Sequence, residues 1–305
     1  MKNQDLNSAK KAKNDEFYTQ LSDIEKECKH YREHFKNKVI LCNCNDALHT
    51  GFATYFSLNF EILGLKELIC TSYSMGGGHG RTYRYRGDKN GNGIPDIEEW
   101  EQQEMKGDGS FDSQEGIELI KEADIIVTNP PFSLFRKFIT TLEKYNKKYL
   151  IIGNMNSLHH KDIFPLIKEN KVWYGVSIHS GGRDFKVPDD YPLNAQFSKI
   201  DEFGNKFICV KGVRWYTNLE NGRSLETLDL CKHYSPEEYP TYDNYDAINV
   251  NKTCDIPMDY NGVMGVPITF FDKYNPTQFE IVGILLNGSI NGKNIYARIL
   301  IHSIR

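Results

Sequence analysis

Two rhythms of apolar and polar positions run through the first half of the chain. Short, nearly uninterrupted apolar runs predict buried strands near 38–43 (KVILCN), 67–73 (ELICTSY), 124–128 (DIIVT), 148–153 (KYLIIG) and 172–178 (VWYGVSI). Between and around them, helical spacing predicts helices over 115–122 (EGIELIKE), 133–145 and 161–171. Repeated strand and helix favour an α/β fold with a parallel, doubly wound sheet over a meander. The stretch 74–112 breaks the rhythm with SMGGGHGR, GDKNGNGIPDIEE and KGDGSFD, and its glycines predict a long loop insertion without regular elements. Beyond about residue 180 the pattern falls into short apolar pieces with many tyrosines and most of the prolines, and one strand is predicted over 206–217 (KFICVKGVRWYT). The expected organisation is a first domain over 1–218, carrying the 74–112 insertion, and a less regular lobe over 219–305.

The length of 305 residues agrees with two domains at about 150 residues each. With 39% hydrophobic and 26% charged residues, the chain is neither disordered nor fibrous in composition. No apolar stretch reaches the roughly 18 residues of a membrane span, and the first 20 residues lack a signal peptide's apolar core, so no membrane association and a cytoplasmic location are expected. The seven cysteines form no CxxC pair, which predicts reduced thiols. Lys and Arg number 37 against 41 Asp and Glu, so the whole molecule exerts no pull on phosphate backbones. Any contact with nucleic acid must be local. The acid-free stretch 74–87 supplies Arg81, Arg84 and Arg86 as candidates for phosphates, whereas 229–260 holds seven acids against two lysines.

The strongest chemical signal is Asn129-Pro130-Pro131-Phe132, directly after the strand Ala123–Val127 and Thr128. Open α/β sheets bind ligands beyond the carboxyl ends of their strands. Asn129 as a helix cap with prolines in the first turn would be a structural use of the same residues, but two prolines followed by an aromatic exceed that need. The set suits methyl transfer to a planar exocyclic amine, whose lone pair is withdrawn into its ring. The Asn129 side-chain oxygen and the Pro130 carbonyl can each accept one amine hydrogen and stabilise the positive charge that develops on attack. Each proline fixes its own φ and biases the residue before it, so both acceptors are held before substrate arrives. Phe132 can stack on a base flipped out of a duplex. The same tetrapeptide would serve methylation of a protein glutamine amide or an RNA amine.

Distinctive blocks occur in order along the chain: NDEFYT (14–19), CNCND (42–46), KGDGSF (106–111), EADIIVTNPPFSLFRKFI (122–139), KKYLIIGN (147–154), RWYTNLE (214–220), YPTYDNYDAINV (239–250) and DYNGVMGVPITFFDKYNP (259–276). Through them, most of residues 14–283 resembles the EcoRI-type adenine-specific DNA methyltransferases. The resemblance implies a Rossmann-like S-adenosylmethionine-dependent methyltransferase fold with a C-terminal DNA-recognition lobe. It implies S-adenosyl-L-methionine as cofactor, the N6 amine of a flipped adenine in double-stranded DNA as acceptor, and a restriction–modification setting with a companion endonuclease that forms no stable complex. It further implies that Asn129, Pro130, Pro131 and Phe132 are catalytic, and that Tyr18 and Thr19 approach the methionine end of the cofactor. By the same resemblance, Asn43 or Asp46 is expected to contact the cofactor beyond the first strand, although NCNDALHTGF has only Gly51 where such enzymes carry a glycine-rich loop. It implies too that Asp108 and Phe111 flank the cofactor adenine, with Asp112 as the alternative acid.

Asp88, Asn90, Asn92, Asp96 and Glu99, with Gly93 between, match the spacing of a calcium loop. The entering segment GRTYRYRG is not helical and Pro95 replaces the usual aliphatic, so no metal is assigned; a calcium-dependent binding protein is the non-enzyme alternative.

Overall fold

The computed structural model describes residues 17–43, 47–74, 77–189, 191, 198–222 and 226–304. The chain forms two units, Met1–Asn154 with Gly175–Glu220, and Met155–Tyr174 with Asn221–Arg305. The break expected after residue 218 thus falls after Glu220. The segment 155–174, expected in the first domain, groups with the second unit, an excursion that contiguous reading of a sequence does not anticipate.

In the first unit, strands β1 (Val39–Asn43), β2 (Glu67–Ser72), β5 (Ile125–Thr128) and β6 (Lys148–Asn154) lie parallel in the order β2-β1-β5-β6. β3 (Arg81–Tyr85) and β4 (Trp100–Glu104) extend the sheet antiparallel beyond β2. The fold is therefore the mixed α/β architecture with a mainly parallel sheet that the apolar runs predict. The parallel strands are buried along nearly their whole length, with Ile40, Leu41, Cys42, Ile126 and Val127 fully inaccessible, as both faces are covered. Helix α1 (Leu21–Cys28) contributes Ile24 and Cys28, and α2 (Gly51–Leu58) contributes Phe52, Tyr55 and Phe56. Helix α3 (Gln114–Glu122) starts where the Ser113 hydroxyl accepts from the Gly116 N–H at 3.0 Å. Helix α4 (Phe135–Lys144) buries Phe135, Phe138, Ile139 and Leu142 at the spacing of one helical face. Glu27 on α1 is fully buried, and it is tolerated because its carboxylate accepts from Tyr31 Oη and from the N–H groups of Val176 and Ser177 at 2.7–2.9 Å.

Four local expectations are corrected. The 74–112 insertion contains the hairpin β3–β4, because its glycines stand outside the strands while RTYRY buries Thr82 and Tyr85. The single strand expected over 206–217 is two, separated at Gly212, whose φ of 75° is disfavoured for other residues. Of these, β9 (Lys206–Lys211) lies between β7 (Gly182–Val187) and β8 (Ser198–Ile200) in a three-stranded antiparallel sheet. The other, β10 (Val213–Thr217), pairs antiparallel with β6. Finally, only Trp173–Tyr174 is strand within 172–178, and the helix expected over 161–171 is Phe164–Lys168.

In the second unit, Ile248–Asn249, Met264–Pro267, Arg298–Ser303 and Phe279–Leu285 form a four-stranded sheet in that order. Its tyrosines hold the fold: Tyr239 Oη donates to the Asp255 carbonyl at 2.8 Å, Tyr242 Oη donates to Asn249 Oδ1 at 2.9 Å, and burial pushes the Tyr242 phenol up to about 12.

Candidate active site

From β1 the chain moves to β2 on one side and later to β5 on the other, which makes the gap between β1 and β5 a topological switch point. In open α/β sheets ligands bind beyond the carboxyl ends of the strands at such a point. These ends are tied together. The Thr128 hydroxyl donates to the Asn43 carbonyl, and Asn43 Nδ2 donates to Thr71 Oγ1 at 3.4 Å.

Asn129 is the first residue past β5 and is half-buried. Its amide nitrogen donates to the main-chain carbonyl of Phe17 at 2.8 Å. Its Oδ1 and the Pro130 carbonyl meet no donor among the described residues, so two consecutive residues of the Asn-Pro-Pro segment each keep an open acceptor. The Pro131 carbonyl accepts from the Leu134 N–H at 2.9 Å and leads into α4. Phe132, 8% exposed, lies with its ring centre 5.8 Å from Phe17 and 6.4 Å from Phe185 on β7, nearly perpendicular to the latter. Phe17 and Phe185, which the sequence reading did not single out, complete this aromatic wall with a centroid separation of 5.8 Å. The adjacency of Phe17 to the Tyr18-Thr19 pair was its one available signal.

The segment 17–20 is fixed on β7. Tyr18 and Lys186 exchange main-chain hydrogen bonds of 3.0 and 3.2 Å, and Gln20 Nε2 donates to the Asp184 carbonyl at 2.7 Å. Thr19 is buried, and its hydroxyl has no partner among the described residues; Asn43 Oδ1 is orphaned in the same way. An unsatisfied buried polar atom costs about 1–3 kcal/mol, and two near the strand ends point to a polar ligand that supplies the missing bonds. Gly51 opens α2 against Thr19, where a Cβ would stand 2.8 Å from the Thr19 carbonyl. Asp46 lies outside the described residues.

KGDGSF reaches the same edge of the sheet. Gly109, with φ 86°, is pressed so closely on the Ser72 carbonyl at the end of β2 that no side chain fits. Asp108 accepts from the Ser110 N–H at 2.9 Å and remains half-buried. Phe111 is turned into the fold, edge-on to Phe138 at 4.8 Å. The alternative acid, Asp112, is engaged by the Lys137 ammonium and by the Ser110 hydroxyl, which hold its carboxyl below the usual carboxylate range.

The three arginines differ. Arg84 forms a two-pronged pair with Glu122 at 2.6 and 2.7 Å and also meets Glu67, and these carboxylates push its pKa up. Arg86 pairs with Glu67 at 3.0 Å and Glu101 at 2.6 Å. Arg81 is exposed and has no ion-pair partner among the described residues. Arg84 and Arg86 thus already meet carboxylates that brace the hairpin, whereas Arg81 has no such partner.

In the 88–99 loop the oxygens are taken up by the chain itself. Asp88 accepts from the N–H groups of Gly91 and Gly93 at 2.6 Å, and Glu99 accepts from those of Lys89, Asn90 and Asp96 at 2.7–3.3 Å. Asn90 and Asn92 both donate to Asp96. Among the described residues no group of three or more His, Cys, Asp or Glu is placed to hold a metal.

The model of a family described as adenine-specific methyltransferase EcoRI matches residues 5–303. The chain is 48% identical to the Type II methyltransferase M.EcoRI of Escherichia coli, over 98% of this chain and 96% of that protein. It is 39% identical to the Type II methyltransferase M.MgeORF184P of Mycoplasma genitalium, over 97% of this chain and 98% of that protein. With the Type II methyltransferase M.MpnI of Mycoplasma pneumoniae it shares 40% identity, over 92% of this chain and 86% of that protein. No solved structure matches the chain.

Proposed function

The chain belongs to the adenine-specific methyltransferase EcoRI family, and from that premise we propose how its residues make it a site-specific DNA adenine methyltransferase. The observation that carries the reading is the pair of open acceptors, Asn129 Oδ1 and the Pro130 carbonyl, at the switch point of the sheet beside the Phe132 ring. A flipped adenine lies against Phe132, and its N6 amine donates one hydrogen to each acceptor. This draws the nitrogen lone pair out of conjugation and stabilises the charge formed on attack without a strong base. An adenine acceptor sets aside the protein-glutamine reading.

The methyl donor is S-adenosyl-L-methionine, which when bound supplies an electrophilic methyl group on its sulfonium. Thr19 and Asn43, with their orphaned oxygens, hold it together with Tyr18 and, beyond the described residues, Asp46. Asp108 serves its adenine end, and Phe111 backs that loop from within the fold. The Met1–Asn154 and Gly175–Glu220 unit carries the chemistry, and Asn221–Arg305 carries target recognition. The partner is double-stranded DNA, and a companion restriction endonuclease acts on the same site without a stable complex. No helix among the described residues is long and apolar enough to cross a membrane, and the substrate places the enzyme in the cytoplasm.

Purified protein incubated with S-adenosylmethionine and unmethylated plasmid DNA in the presence of EDTA should place N6-methyladenine at one recurring sequence, read by long-read sequencing. The two acceptors replace any Lewis acid, so chelation leaves the rate unchanged. A calcium or magnesium requirement would reopen the 88–99 loop, and methylation of RNA in preference to duplex DNA would overturn the substrate.

Arg81 is the proposed phosphate contact of the insertion. Replacement by Ala should weaken binding at every sequence and reduce the slope of log K against log salt by about 0.9, the contribution of one phosphate neutralised. Binding titrations at several salt concentrations check this, and an unchanged slope returns Arg81 to solvent. Arg84→Ala should leave the slope alone and lower stability, since it strands Glu122 and leaves Glu67 to Arg86 alone.

A further inference from the structure

We propose that Phe17 is a positioning residue whose main-chain carbonyl holds the Asn129 amide in the one orientation that presents Oδ1 to the target amine, and so demands an amide rather than a carboxylate at position 129. The inference rests on the reading of Asn129 as an acceptor. An Asn side chain can turn either end toward a neighbour. A carbonyl oxygen 2.8 Å away settles the choice, because only the NH2 end donates, and the opposite orientation would set two acceptors against each other. The oxygen that remains is the one with no donor among the described residues.

The carbonyl is itself held. Tyr18, the next residue, exchanges two main-chain hydrogen bonds with Lys186, and the Phe17 ring, 6% exposed, packs between Phe132, Phe185 and Tyr191. Turning it away would break a strand bridge and an aromatic cluster together. The charged groups on these packed elements are Arg183, Asp184 and Lys186: the Arg183 guanidinium faces Asp23 at 3.9 Å, the Asp184 carboxylate pairs with Lys199 at 2.5 Å, and Asp184 and Lys186 meet the segment through main-chain atoms. One residue pair separated by 112 positions thus joins the amino-terminal segment to the catalytic tetrapeptide.

An aspartate at 129 discriminates. When ionised, it presents acceptors to both the Phe17 carbonyl and the adenine amine. When protonated, it restores the native pattern, with its O–H donating to Phe17 and its C=O accepting from the amine. Asn129→Asp and Asn129→Ala are assayed beside the wild type for turnover on unmethylated plasmid DNA from pH 5.5 to 8.5. Cofactor binding and melting temperature are measured at both limits. Relative to the wild type, Asn129→Asp should match Asn129→Ala at pH 8.5 and gain about tenfold per pH unit on acidification toward the pKa of the new acid. An aspartate variant as active as the wild type at pH 8.5, or one that tracks the alanine variant at every pH, overturns the proposal. An alanine variant with wild-type turnover would instead sink the acceptor role on which it rests. Should Asn129→Asp not fold, an ester in place of the peptide bond between Phe17 and Tyr18 weakens the same carbonyl without changing a side chain, while also removing the Tyr18 N–H that donates to the Lys186 carbonyl, so melting temperature is read beside kcat. It should lower kcat at least fivefold with cofactor affinity retained, and an unchanged kcat overturns the proposal as well.

Discussion

Asn129→Ala should lower turnover by about 10²–10³, equivalent to about 2.8–4.1 kcal/mol of transition-state stabilisation, while affinity for S-adenosylmethionine stays within a few-fold. The size follows from removing one of two acceptors aimed at a charge that exists only in the transition state. The other, the Pro130 carbonyl, belongs to the main chain and survives the substitution. The truncation also strands the Phe17 carbonyl, now without the donor 2.8 Å away, so stability should fall by about 0.5–1.5 kcal/mol. Single-turnover methylation paired with isothermal titration of the cofactor separates the terms. Abolished cofactor binding would move Asn129 from the target base to the cofactor. Preserved turnover would remove it from the chemistry.

The parallel strands were legible because a strand covered on both faces must be apolar throughout, as VILC, LIC and IIV are. The tetrapeptide was legible because its position after such a strand and its two prolines are local facts. The hairpin β3–β4 was hidden by its composition: RTYRY and WEQQE are polar strands outside the parallel core, and most of their side chains reach solvent or ion pairs. The fate of Arg84 and Arg86 depended on Glu67, Glu101 and Glu122, brought from three other elements, so a basic run in sequence became a neutralised lattice in space. Gly212 sat inside an apolar run, and nothing in the residues nearby distinguished a glycine within a strand from one that ends it with a positive φ. The bond between Asn129 and Phe17 could not be read at all, since a main-chain carbonyl leaves no mark on sequence. Only the family resemblance brought Tyr18 and Thr19, and with them the neighbouring Phe17, near the site.

Phe132→Ala tests whether the aromatic wall serves the base, the fold or both. The ring is only 8% exposed and touches Phe17 and Phe185, so truncation should cost about 3–5 kcal/mol and lower the melting temperature by about 6–20 °C. If the remaining face also floors the adenine pocket, catalytic efficiency measured below the melting transition should fall a further fivefold to 150-fold, the equivalent of about 1–3 kcal/mol for one base stacked on an aromatic. Phe132→Tyr separates the two contributions, because it keeps the ring and most of its packing, and it should retain most of the activity. Because Phe17 packs on the same ring and its carbonyl holds Asn129, part of the loss in Phe132→Ala should appear in kcat as well as in the KM for DNA. A variant that melts early yet methylates at the wild-type rate while folded would leave Phe132 as core packing, and the base would then need another floor.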